Sequence, residues 1–218
     1  MQAFILRQNI ERFQNLLKAE IGEAERRTIR VLLAAALREQ AILLSSREGF
    51  EVEIDPLQAA LQRREFRDRF ASSSEACLLL DPCKGLNIVD INDAYAAATM
   101  ADPARIIGKP IFDALPDDPT DPDADGIANL YASLERVFKR QTDDVMSSQR
   151  YDMRRPEGGF VTKFWKISNR PILGKDGRLI YFMQSLEDFT VRTTCGPIWP
   201  GQGDNRQEPS RCGRQAPA

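Results

Sequence analysis

Residues 160–189 read FVTKFWKISNRPILGKDGRLIYFMQSLEDF, and the way this stretch divides decides the kind of fold the chain makes. Phe160 to Ile172 and Leu179 to Phe189 are runs rich in aliphatic and aromatic residues, and Gly174-Lys175-Asp176-Gly177 between them is turn chemistry. Two strands joined by so short a loop pair antiparallel. Pro156-Glu157-Gly158-Gly159 marks a second turn just upstream, so Val145 to Arg154 becomes a further strand and the three form a meander. Alternation places Phe182, Gln184 and Leu186 on one face of the last strand.

Ahead of the meander, Ile127, Leu130, Leu134, Val137 and Phe138 mark a helix that carries Arg136, Lys139 and Arg140 in its last turns. The loop before it contains Asp121-Pro122-Asp123-Ala124-Asp125-Gly126, the first half of a calcium loop. Such a loop takes two of its oxygens from a bidentate Glu at position 12, which here is Ala132, so no metal site is expected. No Lys or Arg lies between Lys109 and Arg136. The Asp residues are therefore read as facing a helix N-terminus, where unpaired N–H groups and the dipole favour negative charge, with Asp123 or Asp125 as the cap.

Further upstream, Ala76 to Leu80 and Leu86 to Ile91 flank Asp81-Pro82-Cys83-Lys84-Gly85 and read as a β-hairpin. Asn92 or Asp93 caps a short helix after it, and Asp102-Pro103 starts another that ends at Gly108. Asp55-Pro56 opens a helix whose apolar side is Leu57, Leu61, Phe66 and Phe70. Phe4 to Leu17 and Ala24 to Leu44 keep one apolar face each at helical spacing and make a helical hairpin, followed by a polar connection from Ser45 to Glu53. Two helices cannot enclose their own apolar stripes, so the hairpin is expected to pack on a second copy of itself or on the next domain.

Composition narrows the function. Net charge is −2, with 30 basic and 32 acidic residues, which gives no basic field for nucleic acid. No apolar run approaches the roughly 20 residues that span a bilayer, and the opening residues do not resemble a secretion signal. The chain has no histidine, so it lacks the commonest general base and the usual haem ligand. Cys77, Cys83, Cys195 and Cys212 have no metal-binding spacing and are expected to be free thiols. No constellation sets a nucleophile beside a base, and an enzyme is not expected.

Two strands, short helices and a three-strand meander over 73–190 resemble a PAS domain. The likeness is carried by Ile88-Val89-Asp90-Ile91-Asn92 before Ala94-Tyr95, Gly108-Lys109-Pro110-Ile111-Phe112, Phe164-Trp165, Pro171-Ile172, Tyr181-Phe182 and the closing Glu187-Asp188-Phe189-Thr190. It implies an α+β fold: a five-stranded antiparallel sheet with short flanking helices, enclosing a pocket, here preceded by the helical hairpin. The domain reading is 1–46 for the hairpin, 47–72 for linker and connecting helix, 73–190 for the PAS domain and 191–218 for a disordered tail. Flavin-binding LOV members carry a GRNCRFL-like segment; Ile111 stands where its thiol would be, and Leu186 where the flavin-sensing Gln would be. The resemblance is thus to a non-LOV, non-haem type, with noncovalent flavin left open and the cofactor otherwise unknown. Pocket candidates are Phe112, Leu115, Met146, Ser148, Trp165, Ile167, Phe182, Gln184 and Leu186.

The expectation is a cytoplasmic regulatory protein that senses a small ligand or a partner and dimerises through its N-terminal helices. From 192 to 218 the chain has four Gly, four Pro and no apolar period, so an output domain on this chain is not expected. The alternatives are a non-sensing dimerisation scaffold and a truncated remnant of a PAS sensor kinase.

Overall fold

A computed structural model of the chain describes residues 1–118, 121, 124–155 and 158–189. The expected disordered tail at 191–218 lies outside them.

The N-terminal apolar stripes do pair. Helices α1 (Gln2–Lys18) and α2 (Glu23–Arg47) bury Leu6 and Ile10 against Ala36, with Phe13, Leu33 and Leu37 packed around them. α2 extends beyond this contact, and its Ala41 joins the core of the sheet domain together with Phe50 from the following turn. That turn is held by backbone bonds from Phe50 N–H to Pro82 O (2.9 Å) and from Gly85 N–H to Ser45 O (2.7 Å). Gly49, at φ +63°, lies so close to the Cys83 carbonyl carbon that a Cβ would come within 2.4 Å of it. The stretch read from sequence as a polar connection is a tight joint, and its one aromatic, Phe50, stacks against Tyr131 and packs edge-on against Phe182.

Strands β1 (Ala76–Leu80) and β2 (Ile88–Ile91) form the expected hairpin, and β5 (Phe160–Leu173) and β6 (Leu179–Asp188) the expected long pair. The sheet runs β2–β1–β6–β5, all antiparallel, so the first hairpin and the meander meet along β1 and β6. The outer edge of β5 carries β3 (Asp144–Val145) and β4 (Gln149–Arg154) in place of one continuous strand. Val145 sits opposite Ser168 and Gln149 opposite Trp165, so four steps along one strand match three along the other. The extra residue is a bulge, which shifts the alternation of everything after it.

Helix α3 (Pro56–Phe70) lies on the sheet's outer face and is capped by Asp55, which accepts from Leu57 N–H (2.9 Å). Its buried contact is Phe66 against Cys77, Leu79, Ile180 and Met183. Leu57 and Leu61 belong to its other side and remain exposed, contrary to the expected apolar face, because Arg63 and Arg67 must reach Asp90 (3.1 and 2.6 Å) across the buried flank. Asn92 closes this corner with every polar atom used. Its Oδ1 accepts from Cys77 N–H and Tyr95 N–H, and its Nδ2 donates to Phe70 O and Glu75 O.

The inner face is covered by α4 (Asp93–Thr99), α5 (Pro103–Ile106), α6 (Ile111–Ala114) and α7 (Gly126–Arg140). α7 has a clear apolar side, with Ile127, Leu130, Leu134 and Val137 buried. Its N-terminal cap differs from the expectation. Asp125 occupies the position before the helix but makes no capping bond through its side chain, and Asp123 lies outside the described residues. Asp117 caps instead: its carboxylate, on a residue only 7% exposed, accepts from Ile127 N–H at 3.2 and 3.3 Å. Asp121 is not left without a counter-charge either, since Arg150 on β4 reaches it at 2.8 Å.

The cap assignment is testable. Asp117→Ala is expected to destabilise the protein by about 1–2 kcal/mol in urea unfolding, and Asp125→Ala by less than about 0.5 kcal/mol. Equal losses would return the cap to Asp125.

Candidate functional site: a core cavity with a hydrogen-bonded wall

Between the sheet and α4, α6 and α7 lies a cavity of about 30 Å³. Of the sequence candidates, Leu115, Met146, Trp165, Ile167, Gln184 and Leu186 line it. Phe182 and Phe112 are buried elsewhere in the same core, Phe182 because its ring is taken up by Phe50. Ser148 is exposed. The bulge explains it: Met146 turns inward and donates its N–H to Ile167 O, whereas Ser148, placed beside Met146 by strict alternation, falls where the register has slipped and faces solvent.

Sequence reasoning missed Tyr95, Thr99, Ile111, Gly126, Leu130 and Met153 as lining residues. Tyr95 and Thr99 are one helical turn apart in a helix of seven residues, too short for a period to emerge. Met153 was recoverable as the inward residue of β4, given the bulge.

The wall is apolar except at one end. There the Tyr95 hydroxyl donates to Gln184 Oε1 (3.1 Å), Gln184 Nε2 donates to Asn169 Oδ1 (3.3 Å), and Asn169 Nδ2 donates to Ser133 Oγ (2.8 Å). Ser133 in turn donates to Asp144 Oδ2 (2.6 Å), which Arg136 grips with Nε and a terminal nitrogen, both bonds at 2.8 Å. An ionised carboxylate only accepts, so Ser133 must point its hydrogen at Asp144. Its oxygen then takes a hydrogen from Asn169, whose carbonyl takes one from Gln184, whose carbonyl takes one from Tyr95. One charge orients four neutral side chains drawn from α4, β6, β5 and α7.

The titration behaviour follows. The hydrogen bond from Arg136 holds the Asp144 carboxyl below its ordinary range, assisted by Ser133 and opposed by partial burial. The same bond raises Arg136. Burial pushes the Tyr95 hydroxyl well above its usual value, so it stays a neutral donor. Neither cysteine among the described residues lines the cavity. Cys77 lies under α3, where burial pushes its thiol up to about 12, and Cys83 sits in the β1–β2 turn, where burial and Asp81 push it up to about 11.

No protein-family model matches the chain, and no curated protein does. Solved structures similar to it include a LOV protein from Rhodobacter sphaeroides (17% identity, 59% of this chain and 68% of that one, TM-score 0.45). Two others are a PAS domain from Colwellia psychrerythraea (17%, 61% and 99%, TM-score 0.43) and the PAS domain of the fruit-fly ELK potassium channel (18%, 58% and 96%, TM-score 0.42). In its own sheet and helices the fold is PAS-like. The antiparallel sheet, its short flanking helices and the preceding helical hairpin are those the resemblance implies. Ile111, not a thiol, is in the wall of the cavity.

Because Asp144 is depressed in the folded state, the stability it contributes is complete above the ordinary carboxylate value of 3.8 and is lost as pH falls through the lower folded value. Asp144→Asn is expected to cost about 1–2 kcal/mol at pH 7, less than a fully buried charged bond because Arg136 is 41% exposed. Urea unfolding should show the gap between variant and parent closing below about pH 3.8; a gap that persists there contradicts the assignment.

Proposed function

We propose that the chain is a regulatory PAS protein, a binding module and not an enzyme, whose core cavity takes a small ligand and whose N-terminal hairpin joins a second copy. The observation that carries the reading is the pairing of Tyr95 and Gln184 in an otherwise apolar cavity. Thr99, Leu115 and Met153 line both this cavity and an open groove that continues past Met100, Lys109 and Pro116. A rotamer change at Leu115 and Met153 would connect core and surface. The ligand is a small, largely apolar molecule with one polar end, bound without a covalent bond.

The hairpin supports the dimer. Phe4, Ile5 and Leu32 stay exposed on α1 and α2 after the two helices have packed together, apolar area that a second hairpin would cover. Among the described residues no helix is long and apolar enough to cross a membrane, and the setting we propose is the cytoplasm.

A second reading is favoured by the cavity's size. Room for only one or two waters is what a packed scaffold would leave, with function confined to assembly through the helices. Native mass spectrometry of the purified protein separates the two. The sensing reading expects twice the 24.6 kDa chain mass plus a retained small molecule, reduced to bare protein by Gln184→Leu. A bare dimer from the parent chain supports the scaffold, and a bare monomer contradicts both.

A further inference from the structure

The hydrogen-bonded wall does not stop at the cavity. Asn169 and Ser133 are both 0% exposed, and Gln184 is 4% exposed, so no link in the middle of the chain can trade its partner for bulk solvent. The charged end is different. Asp144 sits at the edge of the sheet, and Arg136 lies on α7, half in solvent. α7 faces the N-terminal region as well: Tyr131 and Phe138 hold Phe50 between them, at 5.6 and 5.2 Å, directly after α2. The same helix thus carries the Ser133 link on one side and the aromatic joint to the hairpin on another.

We propose that this chain is the route by which the cavity controls α7 and, through Phe50, the hairpin. The inference rests on the cavity being the sensing site only for its biological use; the coupling itself is a property of the folded protein. Its direction is fixed by Asp144, so Tyr95 has committed its one hydrogen and has only oxygen lone pairs left to offer. An occupant that donates a hydrogen to that oxygen leaves all the links in place. An occupant that takes the Tyr95 hydrogen breaks the first link and frees the Gln184 carbonyl, which the occupant, filling the cavity, keeps from water. Relief comes from rotating the two amides, and that withdraws the hydrogen Ser133 receives and loosens α7 from β5. Ligands are thereby sorted into two classes with opposite effects on the same helix.

The test uses the full chain and needs no ligand. Tyr95→Phe removes one oxygen and imitates the broken first link, and hydrogen exchange read by mass spectrometry should rise about fivefold in 133–140 and at 144–146. Asp144→Asn removes the orienting charge from the far end and should raise exchange in 95–99 by a similar factor. Tyr181→Phe, on the other face of the sheet, should leave both segments unchanged. Effects of Tyr95→Phe confined to α4 and β6, or matched by Tyr181→Phe, would overturn the proposal. A chain that passes this test but retains no small molecule in the mass spectrometer would instead remove the sensing reading and leave the coupling intact.

Discussion

The structure depends on one constraint: amide and hydroxyl groups shut inside an apolar core must all be hydrogen-bonded, because an unmet donor or acceptor there costs about 1–3 kcal/mol. Gln184 and Asn169 are such groups, on adjacent strands at paired positions of the β5–β6 ladder. Neither satisfies the other fully. Tyr95 must come down from α4 and Ser133 from α7, and those two helices are thereby fixed over the sheet at the places that leave the cavity between them. The carboxylate of Asp144 ends the sequence of bonds and gives it a direction.

Much of the fold was legible because it is written in local patterns. Alternation in β6 put Phe182, Gln184 and Leu186 on the inward face, and the Gly-rich turns separated the strands of the meander. The helical hairpin followed from two apolar stripes, and the Asp55 cap, with Asn92 as one of two candidates for the next, from the residues that best accept a hydrogen bond at a helix start. What escaped was non-local. A single extra residue between β3 and β4 changes the face of Ser148, and nothing in DVMSSQR announces it. Asp117 caps α7 from ten residues away, which requires the loop to fold back, whereas Asp125 had only adjacency in its favour. Phe50 was an isolated aromatic among charged neighbours, and only the arrival of Tyr131, Phe138 and Phe182 explains its burial.

The candidate site was legible to the same extent. Strand residues such as Trp165 and Ile167 were readable from parity, while the helical half of the wall, Tyr95 and Thr99 above all, depends on where short helices land. The inner and outer faces of the sheet also divide the chemistry. The outer face is closed by α3 through Phe66 and the Arg63 and Arg67 pairs to Asp90, with Cys77 sealed beneath. The inner face holds the cavity, the oriented polar chain and, by way of α7, the joint to the hairpin.

The central claim is that Asn169 and Gln184 are locked by this chain of bonds. The direct measurement is the exchange of their side-chain NH₂ hydrogens with solvent, followed by NMR on uniformly ¹⁵N-labelled protein with the exposed amide of Gln141 as internal reference. The account predicts exchange slower than that of Gln141 by at least about a hundredfold for both residues. Exchange as fast as that of Gln141 at either residue would contradict it.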